Sequence, residues 1–243
     1  MPRSAFLAVI LVNWLAWTAV ASGFESIRTQ EIFQCRSNEV MTWGDGRDRP
    51  AAGAPMKFAY NPAGAPAWFP EELASGMVAT AAAAWSLCGV ASQTVPWPRD
   101  PKRQKDLVLI QWQERESDGN FALANFKLRT LSLGPKAFEL LKSRNPNYDS
   151  RETLQMVISH EMGHLFGLMA HSRRCVDVMS YYDNGKGESC YSRDPTSLNS
   201  RIEYRNLLPT ACDIERCRKA NGKPPLPGGR LGAPALGGLQ EAK

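Results

Sequence analysis

Histidine is scarce in this chain: three residues in 243, all of them between positions 160 and 171. A metal site built on imidazole is therefore confined to that stretch, and a second one elsewhere is excluded. No two of the six cysteines form a Cys-x-x-Cys pair, so the usual signature of a thiolate zinc site is missing. The apolar run Phe6 to Trp17 is too short to span a bilayer and is interrupted by Asn13. Basic residues are scattered despite a net charge of +5. Their densest run, Arg99 to Lys105, lies among prolines and reads as a solvated loop. With no stripe of positive charge and no recognition motif, no nucleic-acid partner is expected. No internal repeat is visible.

What is present begins with a leader. Arg3, the apolar run, and Ala19-Val20-Ala21 make residues 1–21 a secretory signal peptide. Cys35, Cys88, Cys175, Cys190, Cys212 and Cys217 follow it, and an even count behind a leader points to disulfides in an oxidising compartment. The protein is expected to be secreted or periplasmic, monomeric, and without a stable membrane anchor once the leader is cleaved. Pairing is not deducible from sequence. The provisional assignment joins Cys35 to Cys88 and Cys175 to Cys190. The remaining pair, Cys212 and Cys217, lies five positions apart on one helix and points to different sides, which argues against its own bond.

The stretch His160-Glu161-Met162-Gly163-His164 places two histidines one helical turn apart on one face, within reach of a single metal. Glu161 points away from the pair, where it can touch a metal-bound water. On an unbroken helix His171 would sit about 10 Å beyond His164 along the axis, at roughly 1.5 Å rise per residue. A shared metal therefore requires a turn just past Leu165-Phe166, and Gly167 tolerates the left-handed backbone that such a turn needs. Val178-Met179-Ser180-Tyr181 follows.

This combination resembles the metzincin zinc peptidases, and among them the bacterial matrixin-like proteins: His-Glu-x-x-His-x-x-Gly-x-x-His, then a methionine turn. There is a departure. Three residues, Leu168, Met169 and Ala170, separate the glycine from the third histidine, where the family has two. The snapalysin branch carries an aspartate ligand at the slot held by Ala170, which cannot bind metal. The extra residue must then be absorbed as a bulge, with Asp177 as the fallback ligand. The resemblance implies Zn2+ on His160, His164 and His171, Glu161 as general base, Met179 as an apolar floor, and Tyr181 beside the reacting oxygen. It implies an endopeptidase acting on protein or peptide substrates through a zinc-activated water. Two alternatives stay open: a secreted binding protein on an inactive metzincin scaffold, and a metalloprotease of another clan using an acid such as Glu188. Neither a second histidine-built zinc site nor a Pro-Arg-Cys-Gly switch is present.

The implied fold is α+β: a mixed twisted sheet with a backing helix, an active-site helix and a C-terminal helix. The expected division is 1–21 leader, 22–50 N-terminal segment, 51–220 metzincin-like catalytic domain and 221–243 disordered tail. Trp43 to Pro55 reads as turn and loop. Strands are expected at Met56–Tyr60, Asp106–Trp112, Phe121–Phe126 and Phe126–Arg129, and Glu114 to Asn120 as a polar turn. Phe121–Phe126 resembles the metzincin edge strand along which a peptide lies. Helices are expected from Pro70 to Cys88, from Thr153 to Phe166 behind an Asp149/Glu152 capping box, and from Thr210 to Lys219. Asp183 to Asp194 reads as a surface loop.

Overall fold

The run Leu107-Val108-Leu109-Ile110-Gln111-Trp112 is apolar with little alternation, as suits a strand covered on both faces. It forms β3 (Leu107–Trp112) at the centre of one five-stranded sheet. The computed structural model describes residues 26–100, 107–198 and 202–232. The leader (1–21), most of the basic loop (101–105) and the last part of the tail (233–243) lie outside the described residues.

In the sheet, β1 (Met56–Asn61), β2 (Ser92–Thr94), β3, β4 (Ala122–Asn125) and β5 (Thr130–Leu133) run in the order β2-β1-β3-β5-β4. All neighbours are parallel except β4, which pairs antiparallel with β5 and leaves one long side open. Six helices complete the described chain: α1 (Ile27–Phe33), α2 (Glu71–Ser86), α3 (Glu114–Ser117), α4 (Pro135–Arg144), α5 (Ser150–Leu165) and α6 (Ala211–Ala220). The fold is thus a mixed sheet with helices packed on it, an α+β arrangement. None of the described helices is long and apolar enough to cross a membrane.

The core joins the backing helix to the motif helix. Trp85 of α2 donates its indole N–H to Ser159 O on α5 at 2.8 Å. Its ring stacks on Phe166 at 5.7 Å, and Phe166 stacks in turn on Phe58 of β1 at 6.2 Å. Buried aromatics such as these carry much of a core's energy, and here they fix α5 against the sheet.

Several expectations are corrected. Phe126–Arg129 is a turn, not a strand: Asn125 Oδ1 accepts from Leu128 N–H at 2.9 Å, Arg129 has φ 53°, and Leu128 is 57% exposed. The strand starts at Thr130, so the alternation there imitated a pattern that the asparagine turn overrides. Gly134-Pro135, which reads as a stop, is also a start, since proline occupies the first turn of α4. α1 and α3 arise in segments that read as irregular. Asp149 does cap α5, but by accepting from Arg151 N–H rather than through a box with Glu152. The reciprocal box belongs to α6, between Thr210 and Asp213.

Residues 221–232 are ordered rather than disordered. Leu231 N–H donates to Phe33 O, Cys35 N–H to Gly229 O and Leu226 N–H to Glu215, while Leu226 and Leu231 pack on the core. The cysteines pair as Cys35–Cys212, Cys88–Cys217 and Cys175–Cys190. Only the last matches the provisional assignment. Cys212 and Cys217 do point to different sides of α6, so each meets a different partner: the chain after α1 and the end of α2. Three bonds using all six cysteines fit a chain that folds in an oxidising compartment.

Candidate metal centre

His160 and His164 project from the last two turns of α5, with ring centroids 5.0 Å apart. The helix then stops. Gly167 adopts φ 106°, and a Cβ there would collide with the Arg49 carbonyl oxygen, so no other residue fits the turn without displacing the chain. Gly167→Ala is expected to cost at least about 1–3 kcal/mol of folding stability, from the backbone conformation alone, and urea unfolding would measure it.

The three residues that follow have their backbone groups assigned. Leu168 N–H donates to Gly163 O, and Leu168 O accepts from His164 Nδ1 at 2.7 Å. Met169 and Ala170 N–H both donate to Asp48 Oδ1, at 2.9 and 3.2 Å. Ala170 O accepts from Arg216 of α6 at 2.7 Å, and Arg216 is itself paired with Asp48. The extra residue is therefore held by an aspartate from before β1 and an arginine from α6, rather than looped out into solvent.

This turn delivers His171 to the other two. Its ring centroid lies 5.2 Å from that of His160 and 5.0 Å from that of His164, and one ring nitrogen from each histidine falls within 4.8 Å of the others. The Nδ1 atoms are all engaged: His160 with Val178 O (2.7 Å), His164 with Leu168 O (2.7 Å) and His171 with Asp45 Oδ2 (2.6 Å). Carbonyls and carboxylates only accept, so each Nδ1 carries the hydrogen and each Nε2 keeps its lone pair. His171 Nε2 is buried without a protein partner.

Burial keeps all three rings neutral. It holds His160 well below the ordinary histidine value, with the neighbouring His164 adding to the effect, and brings His164 down to about 4. His171 is also lowered by burial, although Asp45 works the other way. Asp45 in turn stays below its ordinary value: burial opposes this, and bonds from the His171 N–H groups outweigh it. A buried set of neutral imidazoles with spare lone pairs suits a borderline-soft divalent metal.

Glu161 lines the same cavity, of about 440 Å³, together with Tyr181 and residues 120–124 leading into and along β4. Its Oε2 accepts from Ala124 N–H at 2.7 Å. Burial raises its carboxyl to about 8, against the Ala124 bond, and a dication alongside would draw it back down. Tyr181 stacks on His171 at 3.7 Å between centroids and is 44% exposed at the mouth of the site. Met179 is buried under Gly163, where an added Cβ would strike its sulfur. Val178, one residue earlier, ties the turn together: its carbonyl holds His160 and its N–H donates to Asp213 of α6 at 2.9 Å.

The alternative ligands are elsewhere. Asp177 is committed to Ser172 Oγ and Thr210 Oγ1, both at 2.6 Å, and faces Arg174 at 3.3 Å. Glu188 is in the exposed loop, bonded to Asn184. Neither belongs to the histidine cluster. Conversely, Asp45, Asp48, Arg205 and Arg216 all shape the site and carry no local signal that would have marked them.

Comparison with protein-family models and with curated proteins found no match. Among solved structures, a chain of the GM1-bound form of the ECX AB5 holotoxin is similar over 77% of this chain and 91% of that chain, at 16% identity and a TM-score of 0.44. A likeness that faint carries no inference about this protein.

Proposed function

We propose that this protein is an exported zinc-dependent endopeptidase of metzincin type. The observation that carries the reading is the convergence of three neutral histidines whose Nδ1–H groups are all occupied, in a cleft that also holds Glu161 and an open strand edge. His160, His164 and His171 would hold the zinc through Nε2, leaving a position open. Zinc supplies Lewis acidity there: it makes water more acidic and polarises a carbonyl.

The chain's own groups supply the rest. Backbone groups along a strand point alternately to its two sides. Since Ala124 N–H points to Glu161, away from β5, Ala122 presents its N–H and carbonyl on that same outer side. An extended peptide can add there as a further strand, beside the 41%-exposed Leu123. Glu161, anchored at Oε2 by Ala124, takes the proton of the attacking water at Oε1 and returns it to the leaving amine. Tyr181, which lines the cavity, would donate its hydroxyl to the oxygen that gains charge.

Metal analysis of the purified protein should give one zinc per chain. Casein or a peptide library should be cut internally, and a chelator should stop the reaction. Zinc without cleavage would favour a binding protein on this scaffold, and absence of zinc would likewise favour that binding protein over the peptidase. Asp45→Asn is expected to weaken zinc about 10- to 100-fold, because the two His171 N–H groups donate to different carboxylate oxygens and asparagine replaces one of these with an NH2 that cannot accept. Competition with a chromophoric chelator measures this, and unchanged affinity would show that His171 needs no such support.

A further inference from the structure

Among the described residues lining the cleft, Arg205 is the cation. It shares the cavity with His160, Glu161, His171 and Tyr181, and it is held in place. Glu203, whose side chain is 6% exposed, accepts from Nε at 2.8 Å and from Nη2 at 3.2 Å. Arg28 of α1 grips the backbone on either side of the link, donating to Tyr204 O at 2.9 Å and to Arg205 O at 3.1 Å. The guanidinium lies over the Tyr204 ring at 5.4 Å, and Asn206 N–H ties the segment to Val176 O, just before the methionine turn.

A guanidinium has five N–H donors in a rigid planar fork. Glu203 engages two of them, and Nη1 has no protein acceptor among the described residues. Donors therefore remain for something that enters the cavity. Because the fork is already fixed by Glu203 and Arg28, little freedom is lost when a second carboxylate meets it. A cationic or apolar group entering the same space would face charge repulsion or leave those donors unpaired.

Resting on the peptidase reading, we propose that Arg205 selects substrates with an acidic side chain within a residue or two of the bond cut. The ligand chemistry is a carboxylate, and its source is an aspartate or glutamate of the peptide rather than a free C-terminus.

Peptides differing at one position near the scissile bond (Asp, Glu, Ala, Leu or Lys), each as C-terminal amide and free acid, test this. In the amide series Asp or Glu should exceed Leu and Lys by about 10- to 100-fold in kcat/KM, the range of a charge-assisted hydrogen bond. The double variant Glu203→Gln/Arg205→Gln removes both charges together. It should lose that ratio while still cutting the alanine peptide, and the milder Arg205→Lys should narrow the ratio. Calorimetry of acidic and alanine peptides on Glu161→Ala reads recognition without turnover. Equal rates across the wild-type series, a preference that follows only the free terminus, or a ratio that survives the double variant would each overturn the proposal and leave the peptidase reading intact. Selective binding of acidic peptides by a wild type that cuts none of them would sustain recognition and remove the peptidase reading.

Discussion

Glu161→Ala is expected to keep its zinc and to lose about 10²- to 10⁴-fold in turnover, the usual worth of a positioned acid-base group. Zinc should stay because the three nitrogens that converge are oriented by Val178 O, Leu168 O and Asp45, none of which leans on Glu161. Turnover should fall because, within this cavity, Glu161 is the carboxylate. One structural effect has to be separated out. Alanine also releases Ala124 N–H, which Glu161 Oε2 now accepts, and could loosen the strand edge where a peptide would lie. Glu161→Gln resolves this, since its amide oxygen can still accept from Ala124 while the base is gone. Both variants should bind zinc equally by metal analysis and be equally slow on a peptide library. A glutamine enzyme running at the parental rate would mean that the base lies elsewhere. A glutamine enzyme without zinc would mean that Glu161 supports the ligands rather than the proton transfer.

The parts of this site that could be read from sequence are those whose geometry is local. An i, i+4 pair of histidines, a glycine that must end a helix, and a third histidine that makes sense only after a turn all lie within one dozen residues. The parts that could not be read are those where distant segments meet. Asp45 is 126 positions from His171, and before the chain folds it is one acid in a glycine-rich loop. The same holds for the extra residue before His171. Its need for support is plain from the spacing, but the supporters, Asp48 and Arg216, come from either end of the described chain. The cysteines show the boundary clearly. That Cys212 and Cys217 face different ways follows from helical geometry alone, whereas which residue waits on each side does not. The misplaced strand at Phe126–Arg129 has another cause. An alternating pattern of two apolar and two basic residues fits a strand or a turn equally well, and the Asn125 side chain decided between them.

The Cys88–Cys217 bond ties this global organisation back to the metal centre, and its removal is the largest stability effect expected. With Cys35–Cys212 intact, the shortest path between the two sulfurs runs back from Cys88 to Cys35, across that bond, and on from Cys212 to Cys217. This closes a loop of roughly 60 residues, for which restriction of the unfolded chain contributes about 4 kcal/mol. Cys88→Ala/Cys217→Ala should lower the unfolding free energy by that amount in urea. The loss should not stay in the fold alone. α6 carries Asp213, which holds Val178 and through it His160, and Arg216, which holds Ala170 ahead of His171. A helix freed at one end from α2 lets both supports move, so zinc affinity should drop together with stability. The two can be told apart by adding excess zinc. If α6 acts on the ligands, a given excess of zinc should stabilise the variant less than it stabilises the parent, because the gain is RT ln(1 + c/Kd) at free zinc concentration c, and Kd has risen. If stability falls and zinc affinity does not change, α6 braces only the sheet side of the protein, and the histidines are held by Asp45 and the helix turn without it.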